Sequence, residues 1–215
     1  MRIGSFTVFL GAAWLVSAGT LAALTEESAA IQSSWDRINY LLQGDRQADE
    51  MSALIDSCDS VTARQPDIAE GYIWCGIVKS TYAGMASSLS AMKYAKAART
   101  DLERAIELDP AAMAGAAQTS LGTLYFKVPG WPIGFGDDKK ARALLLQGVA
   151  ADPDGIDSNY FYADFLYEEK EYEEASNYAL RAAAAVPRPG RETADAGRRA
   201  EIAELAAAIE KKLAR

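Results

Sequence analysis

Two pairs of adjacent carboxylates, Asp137-Asp138 and Glu168-Glu169, are the side chains here best suited to move protons on a substrate. No histidine accompanies them, because the 215 residues contain none. That removes the commonest general base, Ser-His and Cys-His nucleophiles, and zinc sites that need imidazole. Both carboxylate pairs read better as helix-start and surface charges, so no catalysis, no metal site and no cofactor is expected. Gly134-Phe135-Gly136 ahead of a helix has the outline of a phosphate loop. Two aspartates at that helix start would repel an anion where the amides could bind it. Arg188, Arg191, Arg198 and Arg199 form a positive cluster in a chain of net charge -8. They suit acidic neighbours and helix C-termini, and the acidic balance makes nucleic acid a poor partner. Cys58 and Cys75 lie on consecutive predicted helices, where they are either a disulfide or two buried free thiols.

The remaining chemistry is binding. Phe126 to Asp138 holds two prolines, three glycines and large aromatic side chains, a composition that leaves helix. Trp131, Ile133 and Phe135 are expected to turn inward or cover an apolar surface, either plugging the core or walling a cavity. A second aromatic concentration runs from Asn159 to Tyr167 on a predicted helix, aromatic nearly all round and therefore expected to be surrounded by protein. Together these predict an apolar ligand site bounded by Tyr125, Trp131, Phe135, Tyr160 and Phe165. Ile133, Asn159 and Tyr162 complete it, with polar groups setting the ligand's orientation.

The elements that must position these residues are helices. The chain is rich in alanine and poor in Val, Ile and Thr, which favours an all-α fold. From Ile156 to Pro187, Tyr162, Ala163, Leu166, Ala175, Ala179 and Ala182 fall on the tetratricopeptide pattern, with a turn at Lys170-Glu171. Leu121, Gly122 and Tyr125 with Ala141, Leu145 and Gly148 match a preceding unit. Tyr72, Cys75 and Gly76 with Ala98, Leu102 and Ala105 match one before that, its helices lengthened. Pro66, Pro110, Pro153 and Pro187 each follow a predicted helix end. Segments 26–42 and 48–64 read as a degenerate first pair, and 192–213 as a capping helix. The expected architecture is a tetratricopeptide-like stack of about nine helices.

Residues 1–22 read as a secretory signal, with Arg2, an apolar run and small residues before Thr25-Glu26-Glu27. Cleavage after Ala18 or Ala22 fits equally, and an uncleaved anchor is the alternative. The expected unit is then one all-helical domain over 23–215, in the periplasm.

Three blocks also resemble the tetratricopeptide-like T-component family associated with TRAP transporters. They are Pro129-Gly130-Trp131-Pro132 with Gly134-Phe135-Gly136-Asp137, Asp157-Ser158-Asn159-Tyr160-Phe161-Tyr162, and Pro187-Arg188-Pro189-Gly190-Arg191 with Ala194-Asp195-Ala196-Gly197-Arg198-Arg199. The resemblance, over roughly Pro66 to Leu205, implies a periplasmic helical protein with a hydrophobic pore or cavity beside a solute-binding protein and a membrane transporter. A bacterial sterol-transport component is similar to the same family, which implies an apolar lipid cargo. This chain lacks the cysteine that lipoprotein members acylate. The expected function is a non-catalytic carrier for a sterol or other lipid. The alternative is a scaffold that docks a solute-binding protein or another protein partner on its concave face.

Overall fold

The computed structural model describes residues 18–214. Among them the chain forms nine α-helices: α1 (Ala18–Leu41), α2 (Gly44–Arg64), α3 (Ala69–Met85), α4 (Ser88–Leu108), α5 (Ala116–Lys127), α6 (Asp138–Ala151), α7 (Ile156–Glu168), α8 (Tyr172–Ala184) and α9 (Glu192–Leu213). The expected signal at 1–22 lies for the most part outside the described residues. Among those described, no helix is long and apolar enough to cross a membrane.

Proline sets the boundaries. Helices α2, α4 and α6 are capped by Gln65, Asp109 and Asp152, each directly before a proline that cannot donate the next backbone hydrogen bond. Asp137 starts α6, its side chain accepting from the amides of Lys139 and Lys140 at 3.1 Å each. Lys170 makes the α7–α8 turn with φ of 67°.

Consecutive helices pair as α1/α2, α3/α4, α5/α6 and α7/α8, and small residues let the paired axes approach. A Cβ on Gly122 would stand 2.8 Å from Leu145 Cγ and 3.0 Å from its backbone nitrogen, so α5 rests directly on α6. Gly76 seats Leu102 of α4 in the same way. The core runs from Ile73 and Leu102 through Leu121 and Leu145 to Phe165 and Leu166, and a second cluster around Ile38, Met51 and Trp74 binds α1 and α2 to α3.

The odd-numbered helices form an inner layer. Each touches the next, α1 to α3, α3 to α5, α5 to α7 and α7 to α9, and α9 packs back on α1. The stack therefore closes into a five-helix ring, with α2, α4, α6 and α8 outside it. Two contacts make the seam. Arg191 donates to both carboxylate oxygens of Asp36 at 2.8 and 2.9 Å. Gly197 lies so close to the Tyr40 ring that a Cβ there has no room.

Candidate functional site

The ring encloses a cavity of about 340 Å³, within the range of small-molecule sites. Among the described residues, all five inner helices line it and no outer helix does. Trp35 of α1, Trp74 and Ile77 of α3, Leu124 of α5 and Phe161 of α7 supply its apolar wall. The two tryptophan rings lie 6.1 Å apart, and Trp35 Nε1 donates to Thr81 Oγ1 at 3.0 Å, which fixes the indole's orientation. Met113 and Ala114, between α4 and α5, also face the cavity, with φ of 48° and 51°. This left-handed backbone is costly for residues with a Cβ and is held by the surrounding packing.

Hydroxyls from α3 and α5 form the polar wall, and most of them already donate. Ser80 and Thr81 donate to the Ile77 carbonyl at 2.9 and 2.8 Å, and Thr123 to the Thr119 carbonyl at 2.8 Å. What these three retain for a ligand is lone pairs, so they offer it acceptors. Burial pushes the Tyr40 hydroxyl up to about 12, which keeps it protonated and able to donate.

Arginines close one end, each with acidic partners. Arg188 reaches Asp157 at 2.7 Å and Asp195 at 2.7 Å; Arg198 reaches Asp157 at 2.8 Å and also Glu201; Arg191 holds Asp36. Burial raises Asp157, but Arg198 and Arg188 beside it more than offset this and hold its carboxyl below the usual range. Arg198 lies 4.4 Å from the Phe161 ring centroid and Arg191 5.2 Å from that of Trp74, so guanidinium faces also cover the aromatic wall. Three guanidinium groups meet four carboxylates here, and none of the three is left for an anion to claim. Arg199 stands apart, donating to the Ala183 and Ala185 carbonyls at the end of α8.

This packing is that of a repeat protein. A solved structure, a thermophilic TPR protein of Thermus thermophilus, superposes with a TM-score of 0.57 at 19% identity, over 87% of this chain and 94% of that one. The fold is TPR-like. Such stacks commonly present a concave surface to a protein partner. No protein-family model matches the chain, and no curated protein matches it.

The expected ligand residues do not line this cavity, and the structure places each of them elsewhere. Tyr125 is buried under the α5–α6 loop with its hydroxyl toward Glu103 at 3.4 Å, and Phe135 packs edge-on against it at 5.7 Å. Phe165 and Tyr162 are core, stacked on one another and enclosed by Phe126 and Tyr178. Asn159 is fully buried, its Nδ2 donating to the Pro153 and Gly155 carbonyls at 2.9 and 2.8 Å, so it ties down a turn. Tyr160 packs on Phe161 and lies under Arg198. Trp131 and Ile133 turn outward, 89% and 74% exposed, while Val128 and Phe135 pack the loop against the core. Of the α7 aromatics only Phe161 reaches the cavity. Trp35, Trp74 and the arginine wall were not expected there. The signal that marks them is a polar stripe on helices otherwise apolar: Ser80-Thr81 and Thr119-Ser120-Thr123 face inward where core residues would stand.

Cys58 and Cys75 are free, both buried, one on α2 and one on α3. The hydrogen bond with Cys58 and burial push the Cys75 thiol far above its ordinary range, so it is not a nucleophile at neutral pH. Neither thiol is expected to react with maleimide in the folded protein, and both are expected to react in denaturant. A chain lighter by two hydrogens and inert after unfolding would instead establish a bridge.

Proposed function

We propose that the chain is a non-catalytic binding component of a periplasmic transport system, holding an uncharged small molecule with an apolar body in the ring cavity. The observation that carries this reading is the closure of α9 on α1, which turns the groove of a repeat stack into a pocket of about 340 Å³ bounded by all five inner helices, a volume that suits a small molecule. The ligand's apolar area goes against Trp35, Trp74 and Phe161, each Å² contributing about 25 cal/mol. Its hydroxyl or amine donors meet the acceptors on α3 and α5, and the neutralised arginines argue against an organic anion. A sterol or another hydroxyl-bearing lipid has this chemistry. The T-component resemblance supports the reading too, since its blocks 157–162 and 187–199 contribute Asp157, Phe161, Arg188, Arg191 and Arg198 to the wall.

Mass spectrometry of an organic extract from the natively purified protein is expected to find such a molecule at one per chain. Ser120→Phe, which fills the cavity from α5, is expected to weaken binding of that molecule or of an apolar fluorescent probe at least about tenfold, some 1.4 kcal/mol. Unchanged affinity with an intact fold would overturn the assignment. A second reading, a scaffold docking a solute-binding protein on its outer surface, draws on Leu180 and Val186, which are 65% and 78% exposed. It predicts an empty cavity and a partner lost on Leu180→Glu.

A further inference from the structure

The loop between α5 and α6 has a fixed base and an exposed tip. Gly136 N donates to the Pro129 carbonyl at 3.0 Å and Asp137 N to that of Tyr125 at 3.0 Å, while Ile133 N and Gly134 N donate to the Gly130 carbonyl at 3.2 and 3.1 Å. Gly134 and Gly136 pack against the Pro129 and Val128 carbonyls with no space for a Cβ. Phe135 is clamped between Tyr125 and the Arg99 guanidinium, 4.5 Å from the ring centroid. The tip that this base holds out is Trp131-Pro132-Ile133, exposed throughout. A loop so braced loses little conformational freedom when its tip enters another phase.

Lysines stand on both helices that the loop's base rests on or leads into, α4 and α6. Lys93 and Lys96 are exposed on α4, one and four residues after Met92, which lies against Gly134. Lys139 and Lys140 are exposed at the start of α6, with Lys140 Nζ 5.3 Å from the Tyr125 ring centroid. None of these four lysines pairs with a carboxylate among the described residues. The acids nearby are Asp137, committed to its helix cap, Asp138, and Glu103, paired with Arg99. Elsewhere the chain is acidic, with a net charge of -8 overall.

We propose that this tip inserts into the headgroup region of an anionic lipid bilayer, Trp131 and Ile133 entering the interface while Lys93, Lys96, Lys139 and Lys140 meet acidic headgroups. Tryptophan prefers that interface, and lysines near it are attracted in a way that salt screens. A protein partner is a poorer fit, because standard interfaces engage about 20–30 residues a side and this apolar tip has two large ones. The surface lies outside the ring cavity and serves a different step, bringing the carrier to the membrane where an apolar cargo is loaded or released.

The test uses the full chain with vesicles of phosphatidylglycerol and phosphatidylethanolamine, against phosphatidylcholine alone. The Trp131 signal is taken as the difference between the native chain and Trp131→Phe. On anionic vesicles it is expected to shift to the blue and to be quenched by brominated acyl chains. Trp131→Ala with Ile133→Ala is expected to remove quenching and weaken cosedimentation at least tenfold. Replacing the four lysines by glutamine is expected to remove the preference for anionic lipid and the salt dependence. All these positions are exposed, and an unchanged thermal melt checks folding. A difference signal that stays solvent-like on anionic vesicles overturns the proposal, including when the chain binds through its N-terminal apolar run alone. So does a blue shift produced by a purified solute-binding protein and not by vesicles, which would assign the tip to a protein partner.

Discussion

Lys79→Met is expected to lower the unfolding free energy by about 3–5 kcal/mol, the cost of removing one partner from a buried ion pair. Lys79 stands on α3 with its side chain only 9% exposed, and its ammonium reaches Asp101 of α4 and Asp59 of α2, each at 2.7 Å. Three helices thus meet at one charge. The two carboxylates are unequal: Asp59 is 62% exposed and its pairing is screened by water, whereas Asp101 is 13% exposed and has no other cation to turn to among the described residues. Methionine keeps most of the side-chain volume, so the loss reports the stranded Asp101 carboxylate and not a cavity. Adding Asp101→Leu is expected to recover most of the stability, because a buried pair replaced by apolar groups leaves no charge unpaired. Burial lowers the Lys79 pKa, yet the hydrogen bonds to Asp101 and Asp59 hold it above the ordinary 10.5. A cation raised in the folded state contributes fully below its unfolded value and loses that contribution as pH rises through the folded one. The deficit should therefore be complete at neutral pH and fade above about 10.5, and it should also shrink in acid, because burial raises the Asp101 carboxyl and the stranded group takes up a proton there. Urea midpoints of the single and double variants decide it; a single-variant loss below about 1 kcal/mol would show that Asp101 finds water or another partner.

The helix pairs were legible in the sequence because their signals are local. A proline after each unit, glycine or alanine where two axes meet, and a leucine on the facing helix all fall within one repeat, and Gly76 with Leu102 and Gly122 with Leu145 realise that pattern. Ring closure was not legible. It depends on Asp36 finding Arg191, 155 residues away, and no spacing in either segment announces the other. The cavity exists only once that contact is made, so nothing local marks Trp35 and Trp74 as its lining, and the sequence points instead to where aromatics are densest. Aromatic density does not by itself make a cavity, for a physical reason. A helix that is aromatic all round is satisfied by its neighbours, and Tyr162 and Phe165 fill the groove between α7, α8 and α5 with nothing left over. The exposed tip departs in the opposite sense: large apolar side chains predict an inward turn or an apolar surface beneath them, and Trp131 and Ile133 stand 89% and 74% exposed.

Arg191→Met tests closure itself. Arg191 and Asp36 are 13% and 7% exposed in their side chains, and removal of the guanidinium leaves the carboxylate buried at the seam, at an expected cost of about 3–5 kcal/mol. The deficit should carry a pH signature. Burial already raises the Asp36 carboxyl above its ordinary 3.8, with Arg191 pulling it back, and without Arg191 it rises further. A carboxyl raised in the folded state gains stability as it takes up a proton, so the variant should recover as pH falls from neutral toward its own elevated value, while the native chain changes less. If the seam instead yields, α1 leaves α9 and takes Trp35 and Tyr40, two of the cavity's walls, with it. Bound ligand would then be lost while α3 to α8 keep their pairing. Gly197→Val drives at the same seam without touching a charge, because a side chain there displaces the Tyr40 ring that Trp35 holds edge-on at 5.7 Å. Loss of ligand in both variants, with the ellipticity of the remaining helices preserved, ties binding to ring closure. Ligand retained in Gly197→Val with the seam demonstrably open would mean that the groove binds as an open surface, and the enclosed-cavity reading would fall.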